Sequence, residues 1–228
     1  MASVKCCSSA GTGCGAVVEV VVIAGRAGSG KSTLAKWLHG THGAHIRSSA
    51  GPLKDIARDV HDFTDAQLFG TQVEKETEDE RIGMSPRRFL QLLGSAVRTH
   101  LGHDVWTRAC VESIRSSHYF RDGEVFVVDD ARYPNEVAMF KAMASADVRV
   151  TTVKLVKTGF VRPRSEHDSE SSVDAIECDY TIQVPPNPPA DFVMRAFVNQ
   201  VPGPWSTHRR CVHCWMGTAP CRTCVNGL

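Results

Sequence analysis

AVVEVVVIAGRAGSGKSTLAKWL, residues 16–38, is the stretch that decides the fold of this 228-residue chain. Its first part is a β-branched run of the length and continuity typical of a buried parallel strand. Its middle, Gly25 to Ser32, matches the pattern G-x-x-x-x-G-K-[ST]. Leu34, Ala35 and Leu38 then repeat at helical spacing. A strand, a glycine-rich turn and a helix in this order predict a phosphate-binding loop, or P-loop.

Nucleotide binding is the function that this loop predicts. Its glycines let successive backbone N–H groups turn toward a phosphate, and the helix that follows presents its positive end. Lys31 would reach the terminal phosphates of ATP, and the Ser32 hydroxyl would ligate Mg²⁺. Such turns also arise by chance, but here the required strand and helix flank the loop. The residues expected to contact ATP are Arg26, Ala27, Gly28, Ser29, Gly30, Lys31, Ser32 and Thr33.

Strands and helices alternate along the rest of the chain. Apolar β-branched runs predict further strands at 124–128, 148–156 and 180–184. Alternation of this kind predicts an α/β, P-loop NTPase-type fold with a parallel sheet and helices on both faces. We expect this domain to span 16–201, after a disordered leader at 1–15. Helical patterns fall at 31–39, 52–62, 65–70, 86–99, 104–117, 134–145 and 191–200.

Charge and hydropathy exclude several classes of protein. Lysine and arginine together number 26 against 25 acidic residues, and this balance argues against a nucleic-acid coat protein. No apolar run approaches the ~18–20 residues that span a bilayer, and the N-terminus lacks the apolar core of a signal peptide. We therefore expect a soluble, cytoplasmic protein with no membrane partner. The sequence does not determine the oligomeric state and leaves a homodimer open.

A carboxylate pair, Asp129-Asp130, ends the second predicted strand. P-loop folds place a carboxylate at such a strand end to orient Mg²⁺ or its waters, so Asp129 is the predicted metal-side residue. Asp129 and Lys31 are accordingly catalytic candidates. Two acidic residues at a strand end could equally form an ordinary turn, because aspartate favours turns.

A cationic helical face is the candidate site for the group that accepts phosphate. Ser85 and Pro86 are typical of a helix start. The helix then places Arg87, Gln91, Gly94 and Arg98 on one stripe, opposite Phe89, Leu92, Leu93, Ala96 and Val97. Glycine inside a helix costs ~1 kcal/mol relative to alanine, so its place in the stripe indicates an unobstructed face. Planar arginine side chains suit phosphate, although a merely solvated face is the alternative.

Asp104 and Trp106, at the start of the next helix, are weaker candidates. Trp106 could stack on a base and Asp104 could accept a hydrogen bond from a base or a sugar. A buried core position is at least as good an interpretation of Trp106. Asp104 is more simply the N-cap of its helix.

The C-terminal tail carries two Cys-x-x-Cys pairs beyond Pro202-Gly203-Pro204. Four thiolates suit tetrahedral Zn²⁺, so we expect a small zinc knuckle at 205–228. Six residues separate the pairs, fewer than the usual roughly fifteen to twenty, so His208 or His213 could replace a ligand and a metal-free tail is the alternative. The tail could recruit a nucleic-acid or protein partner. Its four cysteines are Cys211, Cys214, Cys221 and Cys224.

Several of these motifs together resemble the deoxynucleoside monophosphate kinases of bacteriophages and large DNA viruses. The P-loop alone is shared by many families, whereas Pro-Arg-x-Phe-Leu-Gln-x-x-Gly and Asp-x-Arg-x-Pro-Asn-Glu are much more specific. The matching segments follow one another over most of residues 17–184. They are Gly25 to Ser32, Pro52-Leu53-Lys54, SPRRFLQLLG at 85–94, Arg98 with Asp104 and Trp106, and DDARYPNE at 129–136.

The resemblance implies a kinase that transfers the γ-phosphate of ATP to a deoxynucleoside monophosphate (dNMP). It also implies a lid at 162–170, where Arg162 and Arg164 would be catalytic by neutralising charge on the transferring phosphoryl group. Another small kinase, for a nucleoside or a coenzyme precursor, and a non-catalytic nucleotide-binding adaptor with a zinc tail are the alternatives. The residues implied around the acceptor are Lys54, Arg87, Gln91, Arg98, Asp104, Trp106, Asp130 and Arg132, with Lys75 as a further cation.

Overall fold

A five-stranded parallel sheet lies at the centre of the computed structural model, which describes residues 17–121, 123–159 and 172–206. The strands lie in the order β2-β3-β1-β4-β5, and every neighbouring pair is parallel, as the sequence predicts. All eight residues of β1 are buried, because this central strand is covered on both faces. The strands are β1 Val18–Gly25, β2 His45–Arg47, β3 Val125–Ala131, β4 Val148–Lys157 and β5 Tyr180–Val184.

Helices cover both faces of the sheet, which confirms the second part of the predicted architecture. On one face, Leu34 of α1 and Phe197 of α8 pack in the same apolar cluster. On the other face, Ile114 of α6 and Phe140 of α7 do the same. The helices are α1 Lys31–His42, α2 Gly51–His61, α3 Asp65–Phe69, α4 Gln72–Glu76, α5 Pro86–Leu101, α6 Val105–Arg115, α7 Pro134–Lys141 and α8 Phe192–Gln200.

Helices α2, α3 and α5 enclose a third, smaller apolar cluster around Ala57, Phe63 and Leu68. Strand β1 has β3 on one side and β4 on the other, so the chain order reverses at β1. Ligands of open parallel sheets bind beyond the carboxyl ends of the strands at such a reversal. The topology therefore places a binding crevice at the end of β1, where the P-loop lies.

Two short elements were missed by the sequence prediction. Strand β2 has three residues and helix α4 has five, so neither is long enough to show a period. Helix α4 does carry a readable start signal, because Thr71 and Glu74 form a capping box. Helix α7 ends at Lys141 rather than at residue 145.

Trp205, just beyond the predicted end of the domain at residue 201, packs in the apolar core. Its indole is 1% exposed, packs on Phe197 with ring centroids 5.0 Å apart, and donates a 2.6 Å hydrogen bond to the Val201 carbonyl. The large apolar area of the indole explains why the chain folds back after Pro202-Gly203-Pro204. The core therefore includes Trp205, which was assigned to the tail.

Other predictions concern residues outside the described ranges. These are the leader at 1–15, the lid arginines Arg162 and Arg164, and the zinc cysteines Cys211, Cys214, Cys221 and Cys224. Over 17–121, 123–159 and 172–206, no helix is both long and apolar enough to cross a membrane.

Candidate active site

The P-loop packs tightly against two elements of the fold. Gly30 has a φ of 98°, in the region that favours glycine, and a Cβ built there would lie 3.2 Å from Cγ2 of Val193 in α8. Gly25 has a φ of 153°, and its Cβ would lie 2.7 Å from the Leu155 carbonyl oxygen of β4. Side chains at these positions would push the loop away from the sheet, so the glycines determine where the loop sits.

Inside the loop, Lys31 and Ser29 form a cradle suited to a phosphate. Lys31 is 8% exposed, and its Nζ donates to the carbonyls of Gly25 at 2.6 Å and Arg26 at 2.7 Å. The Ser29 Oγ is buried and has no hydrogen-bond partner among the described residues. A buried hydroxyl without a partner is costly, and a phosphate oxygen would satisfy it. The cradle therefore fits the group that the sequence predicts.

Ser32 and Asp129, the two predicted magnesium ligands, lie side by side. The Ser32 hydroxyl lies close enough to the Asp129 carboxylate to lower its pKa. Burial raises the pKa of Asp129 and the neighbouring Asp130 raises it further, against the lowering effects of Ser32, Lys54 and Lys31. A partly buried carboxylate beside a hydroxyl offers the oxygen ligands that Mg²⁺ prefers.

No group of three His, Cys, Asp or Glu side chains suited to a metal occurs in the described ranges. The donor set at Ser32 and Asp129 nevertheless fits Mg²⁺, because this ion is normally bound by one or two carboxylates, with substrate phosphates and water as its other ligands.

Asp130, predicted at the acceptor, instead holds the loop before α2. Its Oδ2 accepts from the Ser48 hydroxyl at 2.6 Å and from the Ala50 N–H at 2.8 Å. Its Oδ1 accepts from the Ser49 N–H at 3.0 Å. These bonds run from β3 to the three residues before α2, of which Ala50 is the N-cap and provides no side-chain capping bond of its own. In this structure Asp130 positions α2, and with it Lys54.

Glu136 organises the segment after β3. It is 1% exposed, and its Oε2 accepts from the backbone N–H groups of Arg132 at 2.8 Å and Tyr133 at 3.2 Å. Its Oε1 accepts from Nη2 of Arg98 at 2.9 Å. Burial raises the pKa of Glu136, against these hydrogen bonds and the Arg98 charge. Arg98 also lies over the Tyr133 ring, 4.7 Å from its centroid, so it ties α5 to this segment.

Lys75 of α4 interacts electrostatically with three other basic side chains, and the four together are called the cation wall: Lys36 of α1, Lys54 of α2, Lys75 and Arg87 of α5. Burial lowers the pKa of Lys75, and the charges of Arg87 and Lys36 lower it further. Burial also lowers the pKa of Lys54, as does Lys75, although Asp130 and Asp129 oppose this. Like charges that lower the pKa values of Lys54 and Lys75 favour an anionic ligand.

Arg87 joins the cation wall through α4. Its Nη2 donates to Oε1 of Gln72 at 2.8 Å, and its Nη1 lies 3.5 Å from Oε1 of Glu76. Helix α4, which the sequence did not predict, is thus held against α5 by Arg87, which the sequence did single out.

The stripe on α5 is not the unobstructed face that its sequence indicates. Gly94 is buried, and a Cβ there would lie 3.4 Å from Cδ1 of Leu53 in α2. The lack of a side chain at Gly94 allows α2 and α5 to pack closely. The expectation of an open surface at this position is therefore wrong. Gln91 is half-buried between the two arginines, and Leu92, on the predicted opposite face, is 46% exposed.

Trp106 and Asp104 are placed differently from one another. Trp106 is 6% exposed, and its Nε1 donates to the Gly94 carbonyl at 3.2 Å, as the core interpretation predicts. Asp104 occupies the N-cap position of α6 but makes no capping hydrogen bond with its side chain. Its carboxylate pairs instead with Arg108, one turn along, at 2.5 Å.

The remaining residues predicted to bind ATP line the outside of the loop. Ala27, Gly28 and Thr33 are exposed. A pocket of about 140 Å³ runs from Gly28 and Thr33 to Pro189 and Val193. Arg26 points elsewhere and pairs with Asp174. Arg132 was predicted at the acceptor. Its backbone N–H donates a hydrogen bond to Glu136.

Lys36 is the site residue that sequence reasoning missed altogether. It follows Ser32 by four positions on α1, and residues at this spacing share one helical face. That spacing could have marked Lys36 as facing the same side as the predicted magnesium ligand. Glu136 was seen only as part of a motif, and nothing in the sequence identified its partner Arg98, 38 positions away.

A protein of Acanthamoeba polyphaga mimivirus, named "Putative deoxynucleotide monophosphate kinase", is 30% identical over 142 residues. The match covers 58% of this chain and 72% of the mimivirus protein. No protein-family model matches the chain.

Solved structures give weaker similarities. An APS kinase from Mycobacterium tuberculosis has a TM-score of 0.35 and 15% identity, covering 80% of this chain and 96% of its own. A gluconokinase from Sinorhizobium meliloti has a TM-score of 0.40 and 16% identity, covering 78% and 89%. Assignment to a family therefore depends on the mimivirus protein.

A P-loop at the end of the central parallel strand, a serine at the start of the following helix and a carboxylate on the neighbouring strand β3 define the nucleotide site of a P-loop protein. More particularly, the mimivirus relative shows that the chain belongs to the deoxynucleotide monophosphate kinase family.

Proposed function

We propose that the chain transfers the γ-phosphoryl group of ATP to the phosphate of a deoxynucleoside monophosphate, giving the diphosphate. The observation that carries this proposal is the cation wall beside the P-loop. Lys54 of the wall acts electrostatically on Asp129, whose pKa is also lowered by Ser32 at the end of the loop. An acceptor held between the wall and the loop would have to be strongly anionic, as a monophosphate is.

Lys31, Ser29 and the N–H groups of the P-loop would bind the β- and γ-phosphates of ATP, while Ser32 and Asp129 would hold Mg²⁺. The ion, when bound, neutralises charge on these phosphates. The cation wall would bring the acceptor's phosphate toward the γ-phosphate and offset the repulsion between two anions. Positioning and charge neutralisation account for such a transfer, and no covalent intermediate with the protein is required.

A panel of acceptors tests this function. ADP formation from MgATP should be measured with each of the four common dNMPs, with the matching uncharged deoxynucleosides, and with ribonucleoside monophosphates. We expect at least one dNMP to be phosphorylated and the deoxynucleosides to be inert. Phosphorylation of a nucleoside but of no dNMP would overturn the proposal, as would tight ATP binding with no transfer to any of these acceptors.

Lys75→Ala should raise the KM for the accepted dNMP about tenfold, because a charged hydrogen bond to phosphate contributes ~1.5–3 kcal/mol. The KM for ATP should stay within about twofold, since the wall lies on the acceptor side. Steady-state kinetics with each substrate varied in turn measures both constants. Lys141→Ala, an exposed lysine paired with Asp179, is the matched control. An equal rise in both KM values would remove Lys75 from the acceptor site.

A further inference from the structure

Arg26, the second residue of the P-loop, directs its side chain away from the phosphate cradle. Its Nη2 lies 2.8 Å from Oδ2 of Asp174 and its Nε lies 3.3 Å from Oδ1, so the guanidinium and the carboxylate meet through two parallel hydrogen bonds. The Arg26 side chain is only 14% exposed, although Asp174 is 55% exposed. The pair joins residues that are 148 positions apart in the chain.

Asp174 is itself held firmly. It lies in a short 3₁₀ turn, Val173–Ala175, whose flanking apolar residues Val173 and Ile176 are 2% and 3% exposed. Lys154 of β4 donates from Nζ to the carbonyls of Asp174 at 2.9 Å and Ile176 at 3.0 Å. The turn is therefore fixed to β4 by its main chain as well as by its apolar side chains.

These contacts close a circuit around the start of the P-loop. Lys154 pairs in register with Ala24, the residue of β1 that precedes Gly25. Arg26, directly after β1, bonds to Asp174, and the Asp174 carbonyl bonds to Lys154 of β4. Strand β4 in turn pairs with β1, which closes the ring of contacts. The Arg26 carbonyl, which lies within this circuit, accepts from Lys31 Nζ at 2.7 Å and from the Ser29 N–H at 3.3 Å. Fixing the Arg26 side chain thus fixes the carbonyl that orients the phosphate-binding lysine.

We propose that Asp174 is a positioning residue for ATP, which acts by holding Arg26 and thereby the geometry of the P-loop. The inference rests on the proposed use of this loop for ATP. Without the Asp174 carboxylate, the guanidinium would lose these two hydrogen bonds, and the Gly25–Arg26 segment would be held less firmly. Binding of ATP would then require ordering a loop that the native protein holds ready.

An ordinary surface ion pair is the competing interpretation, since exposed pairs contribute little to stability or binding. The pair of Arg58 with Asp65, at 2.6 Å, is such a case, with side chains that are 44% and 83% exposed. Arg26 differs because its side chain is only 14% exposed, its contact is bidentate, and its own carbonyl contacts Lys31. These differences predict an effect on ATP affinity that the surface pair does not have.

Binding of MgATP to the full chain tests the inference, measured by calorimetry without an acceptor and by the KM for ATP. We expect Asp174→Asn to weaken ATP binding about tenfold, as loss of a charge-assisted contact predicts. The KM for the dNMP should stay within about twofold and the kcat within about threefold. Asp174→Glu, which keeps the charge, should recover most of the affinity. Asp65→Asn is the matched control and should bind ATP as the wild type does.

A double-mutant cycle shows whether Asp174 acts through Arg26. Arg26→Gln and the double variant Arg26→Gln/Asp174→Asn should bind ATP equally weakly, because the second change removes a partner already lost. Additive losses would overturn the inference, as would wild-type affinity in Asp174→Asn or an equal rise in both KM values with a lower Tm. If the wild type itself binds no MgATP, the proposed function fails together with this inference; unaffected binding by Asp174→Asn overturns this inference alone.

Discussion

Replacing Lys31 with alanine should lower the rate of phosphoryl transfer about a thousandfold, comparable to the loss of a preorganised charged donor in other active sites. Lys31 is buried inside the loop, and its ammonium is held 2.6–2.7 Å from two carbonyls of the same loop. A phosphate in the cradle would meet a charge that the fold already holds inside the loop. The rate should be measured at saturating MgATP and dNMP, so that the effect falls on kcat.

Loss of fold must be distinguished from loss of chemistry in this variant. Alanine at position 31 leaves the Gly25 and Arg26 carbonyls without their lysine donor, at a cost of about 1–3 kcal/mol if no water replaces it. Thermal unfolding of the variant should therefore show a moderately lowered Tm but a single cooperative transition. Lys141→Ala should keep both the wild-type rate and the wild-type Tm. A Lys31→Ala protein that folds and transfers phosphate at the wild-type rate would contradict the P-loop assignment.

The donor side of the site could be predicted because its determinants are local in sequence. A buried strand, the loop from Gly25 to Ser32 and an amphipathic helix are contiguous, and each has a pattern of its own. Asp129 required one longer step, the expectation that a neighbouring parallel strand ends at the same edge of the sheet. In the structure Ser32 lies near enough to Asp129 to lower its pKa, while the role of Asp129 with Mg²⁺ stays a prediction.

The acceptor side could not be predicted in the same way, because its contacts join distant segments. Asp130 bonds to Ser48 across 82 positions, and Arg98 bonds to Glu136 across 38. Periodicity in α5 identified which residues share a face, but not what that face meets. Gly94 was therefore interpreted as open space, whereas Leu53 packs against it. A helical wheel shows which residues of one helix share a face, whereas predicting how that face packs requires knowing the neighbouring helix.

Carboxylates and cations on the two sides of the crevice act on one another. Asp129 raises the pKa of Lys54 while Lys75 lowers it, and Lys54 in turn lowers the pKa of Asp129. Substrate binding would add anions near the wall and Mg²⁺ near Asp129, which would relieve both kinds of like-charge repulsion. The crevice thus holds unfavourable electrostatics that the ligands of a phosphotransferase would offset.

Asp129→Asn should lower kcat about a hundredfold or more while leaving the protein at least as stable as the wild type at neutral pH. Burial and Asp130 raise the pKa of Asp129 in the folded state. A raised pKa means that the folded protein binds this proton more tightly than the unfolded chain does. Protonated Asp129 therefore stabilises the folded protein. This contribution is present below the pKa that Asp129 has in the unfolded chain, and it is lost as the pH rises through its pKa in the folded protein. At pH 7 the ionised Asp129 is therefore a cost to stability that asparagine removes.

The pH dependence separates the catalytic role of Asp129 from a structural one. Transfer by the wild type at limiting Mg²⁺ should fall on acidification at a pH above the ~3.9 typical of an exposed aspartate, because the ionised form is needed to hold the ion. This acidic limb should be absent from the residual activity of Asp129→Asn, and its Mg²⁺ requirement should rise. Asp147→Asn, at an exposed position, serves as the control. A variant that loses stability and activity together would indicate that Asp129 supports the fold rather than the metal.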